Sequence, residues 1–217
     1  MKHLIYKELK LAAPLLTYLF LGFTLMTFIP GYPILCGVFF VGMGIFQGYQ
    51  YSRESGDILY SVILPVKKTD VVKAKYWTAV ILQMTAFVLF VTFTVIRMLY
   101  LSEAVIYVNN ALMGANFTFL AYVLLLFAIF NIIFIGGFFK TAYRIGKPFV
   151  QYIIVCFTIT AAAEVLRYIP GLEWMNTLGF EHAGVQLILL LCAVIIYIML
   201  TIGSCKISQK RFDRIDL

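Results

Sequence analysis

Apolar residues fall in six long runs parted by short polar stretches, at residues 11–29, 33–51, 77–101, 117–139, 149–169 and 185–205. Each run approaches the roughly 20 mostly apolar residues that a helix needs to cross about 30 Å of hydrocarbon. The runs are continuous rather than alternating, so they predict helices and not barrel strands. Pro30-Gly31-Tyr32-Pro33 marks a tight turn between the first two. The fifth run is the most polar, with Glu164 and Arg167 in its last turns at the spacing of a local ion pair. The expected fold is therefore an all-α integral membrane protein with six transmembrane helices in one domain covering residues 1–217.

Polar positions inside the runs are few. Gln83, Asn131 and Gln151 would either line a substrate path, since polar groups in lipid turn toward the bundle interior, or tie helices together by hydrogen bonds of about 1 kcal/mol each. The tie is the simpler reading. Gly44 and Gly48 form a small-xxx-small pair that lets a neighbouring helix approach closely, within the subunit by default and across a dimer contact as the alternative.

Two stretches outside the runs have helical order. Over residues 3–13, His3, Lys7 and Lys10 share one face and Ile5, Leu9 and Ala12 the other, which predicts an amphipathic helix lying in the interface. In residues 57–64, Ile58, Leu59, Val62 and Ile63 make an apolar face, with Arg53, Glu54, Asp57 and Ser61 opposite. Pro65 disfavours helix at the residue before it and should end this segment at Leu64. Lys67 and Lys68 then form a basic corner, and Thr69-Asp70 predicts a cap and acidic first turn for the helix entering the third run. Tyr60 and Leu64 fall beside the polar face. Such exposed anchors suit a protein partner, although a helix resting on the membrane accounts for the segment equally well.

Composition agrees with a membrane protein, since 63% of residues are hydrophobic and only 12% charged. Of the 17 Lys and Arg, all but Arg97 and Arg167 fall on one side if both termini lie in the cytoplasm, as the bias of basic loops requires. Arg97 and Arg167 sit near span ends, close enough to snorkel outward. The net charge of +7 is thus spread over four inner segments facing anionic membrane lipids. A nucleic-acid binder would gather it on one face, so no nucleic-acid partner is expected. The first run is longer than a signal-peptide core and lacks a small-residue cleavage pattern, so it is read as a retained span. The four cysteines, Cys36, Cys156, Cys192 and Cys205, sit in apolar runs without paired spacing and are read as core hydrophobes.

Catalytic motifs are missing. The only Gly-Lys pair, Gly146-Lys147, follows Thr141 and precedes Pro148, which does not fit a P-loop. No intramembrane-protease constellation is written in the chain. His3 and His182 are predicted on opposite sides of the membrane, so they cannot share a metal. No enzyme activity and no cofactor are expected in this chain.

The layout and one loop carry a resemblance. An interfacial N-terminal helix, six spans, and the segment Asp57-Ile58-Leu59-Tyr60-Ser61-Val62-Ile63-Leu64-Pro65-Val66-Lys67-Lys68, continued by Lys73-Ala74-Lys75-Tyr76, resemble a type-2 ABC exporter permease. The similarity is closest to small half-transporter permeases of the phenol-soluble modulin and bacteriocin exporter type. It covers the whole chain in layout and this loop in residues. The resemblance implies a cytosolic coupling helix, with Asp57, Leu59, Tyr60, Ser61, Leu64, Pro65, Lys67 and Lys68 meeting a separately encoded ABC ATPase dimer that binds the ATP and Mg. It also implies a second permease copy or paralogue in the plasma membrane, and short outer helices between the last two spans, for which residues 170–184 are long enough. Trp174 would mark the outer interface.

With few charges in the spans and 17% aromatic residues, the transport surface suits hydrophobic or amphipathic peptides such as toxins or bacteriocins. Lipids and lipophilic drugs are the alternative cargo. Six spans without an enzyme motif also fit the vitamin-binding membrane subunit of an energy-coupling-factor importer, or an immunity protein that binds a peptide without moving it.

Overall fold

A computed structural model describes residues 2–63, 66–141, 144–166 and 168–215, apart from the side chains of Leu11, Ala12, Ile58, Leu59 and Val62. Leu64, Pro65 and Arg167 lie outside the described residues, and with them the helix end expected at Leu64 and the Glu164–Arg167 pair. Among the described residues all regular structure is helical.

Helix α1 (Lys2–Lys7) runs on through a π-helical turn, Glu8–Ala12. Pro14, with extended backbone, then starts α2 (Leu15–Leu19), which tightens into a 3-10 segment, Phe20–Phe28. Proline cannot donate to a helix it would interrupt, so the chain turns here. The two arms, Lys2–Lys10 and Leu15–Phe28, meet at 87°. The amphipathic helix expected over residues 3–13 overlaps the first arm of this elbow.

Four described helices are long and apolar enough to cross a membrane: α5 (Lys68–Tyr100), the continuous run Phe117–Thr141, α9 (Gly146–Leu166) and α10 (Ala183–Asp213). The bent pair makes a fifth if it counts as one span. The second expected span is α3 (Cys36–Glu54), 19 residues long but diluted by Gln47, Tyr49, Gln50 and Tyr51. Ten of its residues, from Cys36 to Ser52, are covered by neighbouring helices. The run Phe117–Thr141 consists of α7 (Phe117–Ile129), a π-helical segment (Phe130–Ile135) and α8 (Gly136–Thr141). It is apolar all round, as a helix in the middle of a bundle must be. Phe119, Phe127, Phe130, Phe134, Phe138 and Phe139 on it are fully buried.

Gly44 explains how α3 meets the first arm. A Cβ there would sit 2.5 Å from the Phe20 Cβ and 3.1 Å from the Thr17 carbonyl oxygen. The small-residue pair therefore serves packing within the subunit. After α3, Gly56 takes φ 65°, a conformation that favours glycine, and turns the chain into the short helix α4 (Asp57–Ile63).

Several expectations need correction. Thr69 does not cap α5, because the helix already begins at Lys68 with Lys67 in the extended N-cap position. The last span, expected over residues 185–205, continues without a break as α10 to Asp213. Arg97 does not snorkel: it is 3% exposed, donates to the Thr27 carbonyl at 2.6 Å and lies 4.1 Å from the Tyr107 ring centre. That carbonyl ends the Phe20–Phe28 segment, where the partial negative charge of a helix terminus attracts a cation. Tyr107, on the single turn α6 (Val105–Val108), donates to the Phe28 carbonyl at 2.8 Å and closes the site from the other side.

Residues 170–184 hold one 3-10 turn, Glu173–Asn176, in place of the expected outer helices. Side-chain bonds order this segment. Asn116 Nδ2 donates to the Met175 carbonyl at 2.9 Å, Asn176 Oδ1 accepts from Gly114 N at 2.7 Å, and Gln186 Nε2 donates to the Trp174 carbonyl at 2.8 Å.

Candidate functional site

Four charged side chains from three separated segments meet where α1, α3, α4 and α5 converge. The arrangement begins with local helix geometry. Position 8 follows α1 on its π turn and projects Glu8 toward α5, where Lys75 lies two residues beyond the partly exposed Lys73 and so on nearly the opposite face of the helix. Lys75 Nζ donates to Glu8 Oε2 at 2.7 Å and to Ser52 Oγ at 2.8 Å, and pairs with Asp57 Oδ2 at 3.3 Å. Ser52 Oγ in turn donates to Asp57 Oδ2 at 3.0 Å. Lys7 Nζ pairs with Asp57 Oδ1 and donates to Ser61 Oγ at 2.7 Å. The Tyr49 ring lies 5.8 Å from Lys75 Nζ and backs the ammonium group.

Lys75 is 3% exposed and Glu8 6%. Two ammonium groups face two carboxylates, so the cluster is neutral as a whole. Low dielectric makes such a network strong when every member is satisfied and costly when one is missing. Three chain segments are thereby fixed to one another: the elbow through Lys7 and Glu8, the short helix through Asp57 and Ser61, and the long helix α5 through Lys75.

Asp57 shows the balance of terms. Burial pushes its carboxyl pKa up, but the charge of Lys75, the hydrogen bond and charge of Lys7, and the Ser52 hydroxyl together hold it below the ordinary 3.8. A carboxylate depressed in the folded state adds stability above its unfolded value, and that stability is lost as pH falls through the folded value. The thermal midpoint of the purified protein should therefore exceed that of Asp57→Asn by a constant margin from about pH 5 to 7, with the margin shrinking below about pH 4. A margin that stays flat into acid would remove Asp57 as the source.

The polar side of α4 thus faces inward, opposite to its expected direction. A helical wheel separates polar from apolar faces but cannot tell water from a buried ion partner. Among the described side chains of α4, Tyr60 is 64% exposed and Ile63 83%. Ser61 is buried and donates to the Asp57 carbonyl. Lys67 is exposed, whereas Lys68 Nζ donates to the Ile215 carbonyl at 2.8 Å and ties the start of α5 to the far end of the chain. The side chain of Leu59, like Leu64 and Pro65, is outside the description.

A second polar group lies deeper. Gln83 and Asn131 exchange amide hydrogen bonds at 2.9 and 3.1 Å, Asn131 Nδ2 also reaches Thr201 Oγ1 at 3.0 Å, and Tyr197 donates to Gln83 Oε1 at 2.8 Å. Tyr76 continues the chain to Ser204 and Ser208 at 2.8 and 2.9 Å. Gln83 and Asn131 have no exposed surface, and these bonds join α5, the central run and α10. Gln151 stands apart, exposed beside Lys140, Arg144 and Lys147.

Glu8, Ser52 and Lys75 have no part in the sequence-based expectation for the site. One signal was available: a lysine on the α5 face shared with Val71, Val72 and Thr78 rather than with Lys73. Among the described residues no cluster of His, Cys, Asp and Glu could hold a metal ion.

The family model described as ABC-2 family transporter protein matches residues 3–213. No curated protein sequence and no solved structure matches the chain. With its apolar spanning helices and a match over nearly its whole length, this chain is a multi-pass membrane protein of the ABC-2 transporter family.

Proposed function

We propose that the chain is the permease half of an ATP-driven exporter and that α4 is its coupling helix. The supporting observation is the two-sided character of α4: Asp57 and Ser61 pin one side to Lys7 and Lys75, while Tyr60 and Ile63 are left bare on the other. A groove in a separately encoded ATPase would cover the bare side. Closure of the ATPase dimer on ATP and Mg would push α4, and the ion cluster would hand that displacement to α5 and to the elbow together. In this reading six helices cross the plasma membrane, α3 included, with both termini in the cytoplasm and a second permease, identical or paralogous, beside the first.

Hydrophobic or amphipathic peptides are the cargo this reading favours, for toxin export or immunity. The polar groups deep in the bundle bind one another and leave little to recognise a sugar or an ion. Lipids or lipophilic drugs would suit the same surface. Family membership favours the exporter permease over the vitamin-binding importer subunit.

Co-purification with the ATPase of a neighbouring reading frame tests the reading. Tyr60→Asp combined with Ile63→Asp should weaken that association by about 30-fold, the equivalent of a 2 kcal/mol hot spot, without moving the unfolding midpoint of the permease alone. Equal recovery of ATPase with the double variant would rule out α4 as the docking element.

A further inference from the structure

Away from the ion cluster, α5 and α10 border an open groove of about 490 Å3, within the range of roughly 300–1,000 Å3 usual for small-molecule sites. Its chemistry changes along its length. Val80, Ile198 and Ile202 make the deep part, Trp77 the middle, and Lys73 and Lys206 the mouth together with Gln209. From Ile198 to Gln209 the groove follows α10 for about 16 Å at 1.5 Å per residue, close to one leaflet of a roughly 30 Å hydrocarbon core.

The two lysines are available. Lys206 is exposed, and no carboxylate among the described residues pairs with it. Among the described residues the one carboxylate paired with Lys73 is Asp70, at 3.8 Å on the surface, a contact of small worth. Trp77 is half exposed at the level where an amphipathic ring meets the headgroup region. An occupant must therefore be anionic at one end and aliphatic for the rest. A second copy of the chain does not fit, because a two-fold interface sets the same patch against itself and would bring the lysines of both copies together.

We propose that this groove holds one anionic phospholipid of the leaflet at the lysine-rich end, its phosphate between Lys73 and Lys206 and an acyl chain along Val80, Ile198 and Ile202. Basic pockets between spanning helices recognise phosphate headgroups in this way. The inference rests on α5 and α10 crossing the membrane, and on neither the ATPase nor the cargo. Bound there, the lipid braces the helix that carries Lys75.

The test uses the full chain in nanodiscs of phosphatidylcholine. Trp174→Phe leaves Trp77 as the single tryptophan, excited selectively over the tyrosines at the red edge of the absorption band, since the sequence has two tryptophans. Phosphatidylglycerol with brominated acyl chains should quench Trp77 at a several-fold lower mole fraction than brominated phosphatidylcholine. Lys73→Gln with Lys206→Gln should bring the two curves together, whereas Lys140→Gln with Lys147→Gln, the same charge change elsewhere, should leave them apart. Coincident curves in the parent protein would overturn the proposal, as would a preference that survives loss of Lys73 and Lys206 or vanishes equally in the control pair. Absence of quenching by either lipid would mean that protein covers the groove, and would overturn it too. No ATPase is present in the assay, so its failure leaves the exporter reading intact.

Discussion

Methionine in place of Lys75 should destabilise the folded chain by about 3–5 kcal/mol, the usual cost of removing one partner from a buried ion cluster. The ammonium group bonds Glu8, Ser52 and Asp57 at 2.7, 2.8 and 3.3 Å, and methionine fills similar volume without donating anything. Glu8 would be left with only Lys7, 3.6 Å from its other oxygen. The cost belongs to the stranded carboxylates and not to the missing bond itself, so Glu8→Gln and Asp57→Asn added to Lys75→Met should restore most of the stability. Lys7 is partly exposed and can turn its charge to water. Reversible unfolding in mixed micelles measures both effects. A single variant as stable as the parent, or a triple variant no better than the single, would contradict the cluster as drawn.

The second large effect concerns two glycines four residues apart on α3. Gly44→Ala should cost about 1–3 kcal/mol through overpacking, because its methyl carbon would lie 2.5 Å from the Phe20 Cβ and both helices would have to part. Gly48→Ala places the same methyl 3.8 Å from Thr17 Oγ1, an ordinary contact, and should be neutral or stabilising by up to about 1 kcal/mol from helix propensity. The two variants have equal composition, so their unfolding midpoints under one detergent condition isolate the contact. Equal midpoints would show that the first arm is not packed against α3 at Gly44.

What could be read from the sequence was whatever depends on neighbours along the chain. Continuous apolar runs located the four helices long and apolar enough to cross a membrane, although α5 starts nine residues before its run and α10 ends eight after its own, and Pro30 and Gly31 marked a turn. A short amphipathic segment was evident at residues 57–64, and residues 57–63 of it are a helix. The ion cluster depends on pairs far apart in sequence: Glu8 is 67 positions from Lys75, and Asp57 is 18 from it. No period connects them. For the same reason Asp57 and Ser61 were assigned to the wrong environment, since a polar face looks alike whether it meets water or a buried ammonium. Arg97 failed as an expectation because snorkelling assumes that the nearest polar medium is solvent. Here a helix-terminal carbonyl and the Tyr107 ring are nearer. Gln83 and Asn131 were legible as polar outliers, but their mutual bond, 48 positions long, was not.

The junction beneath α4 gathers two positive and two negative groups, and that balance has an electrical consequence. Carrying one unpaired charge across a membrane potential exchanges about 2.3 kcal/mol for every 100 mV. A joint whose charges sum to zero and travel together exchanges almost nothing with that field, so its displacement is free to answer to contact forces alone, whatever the voltage of the cell.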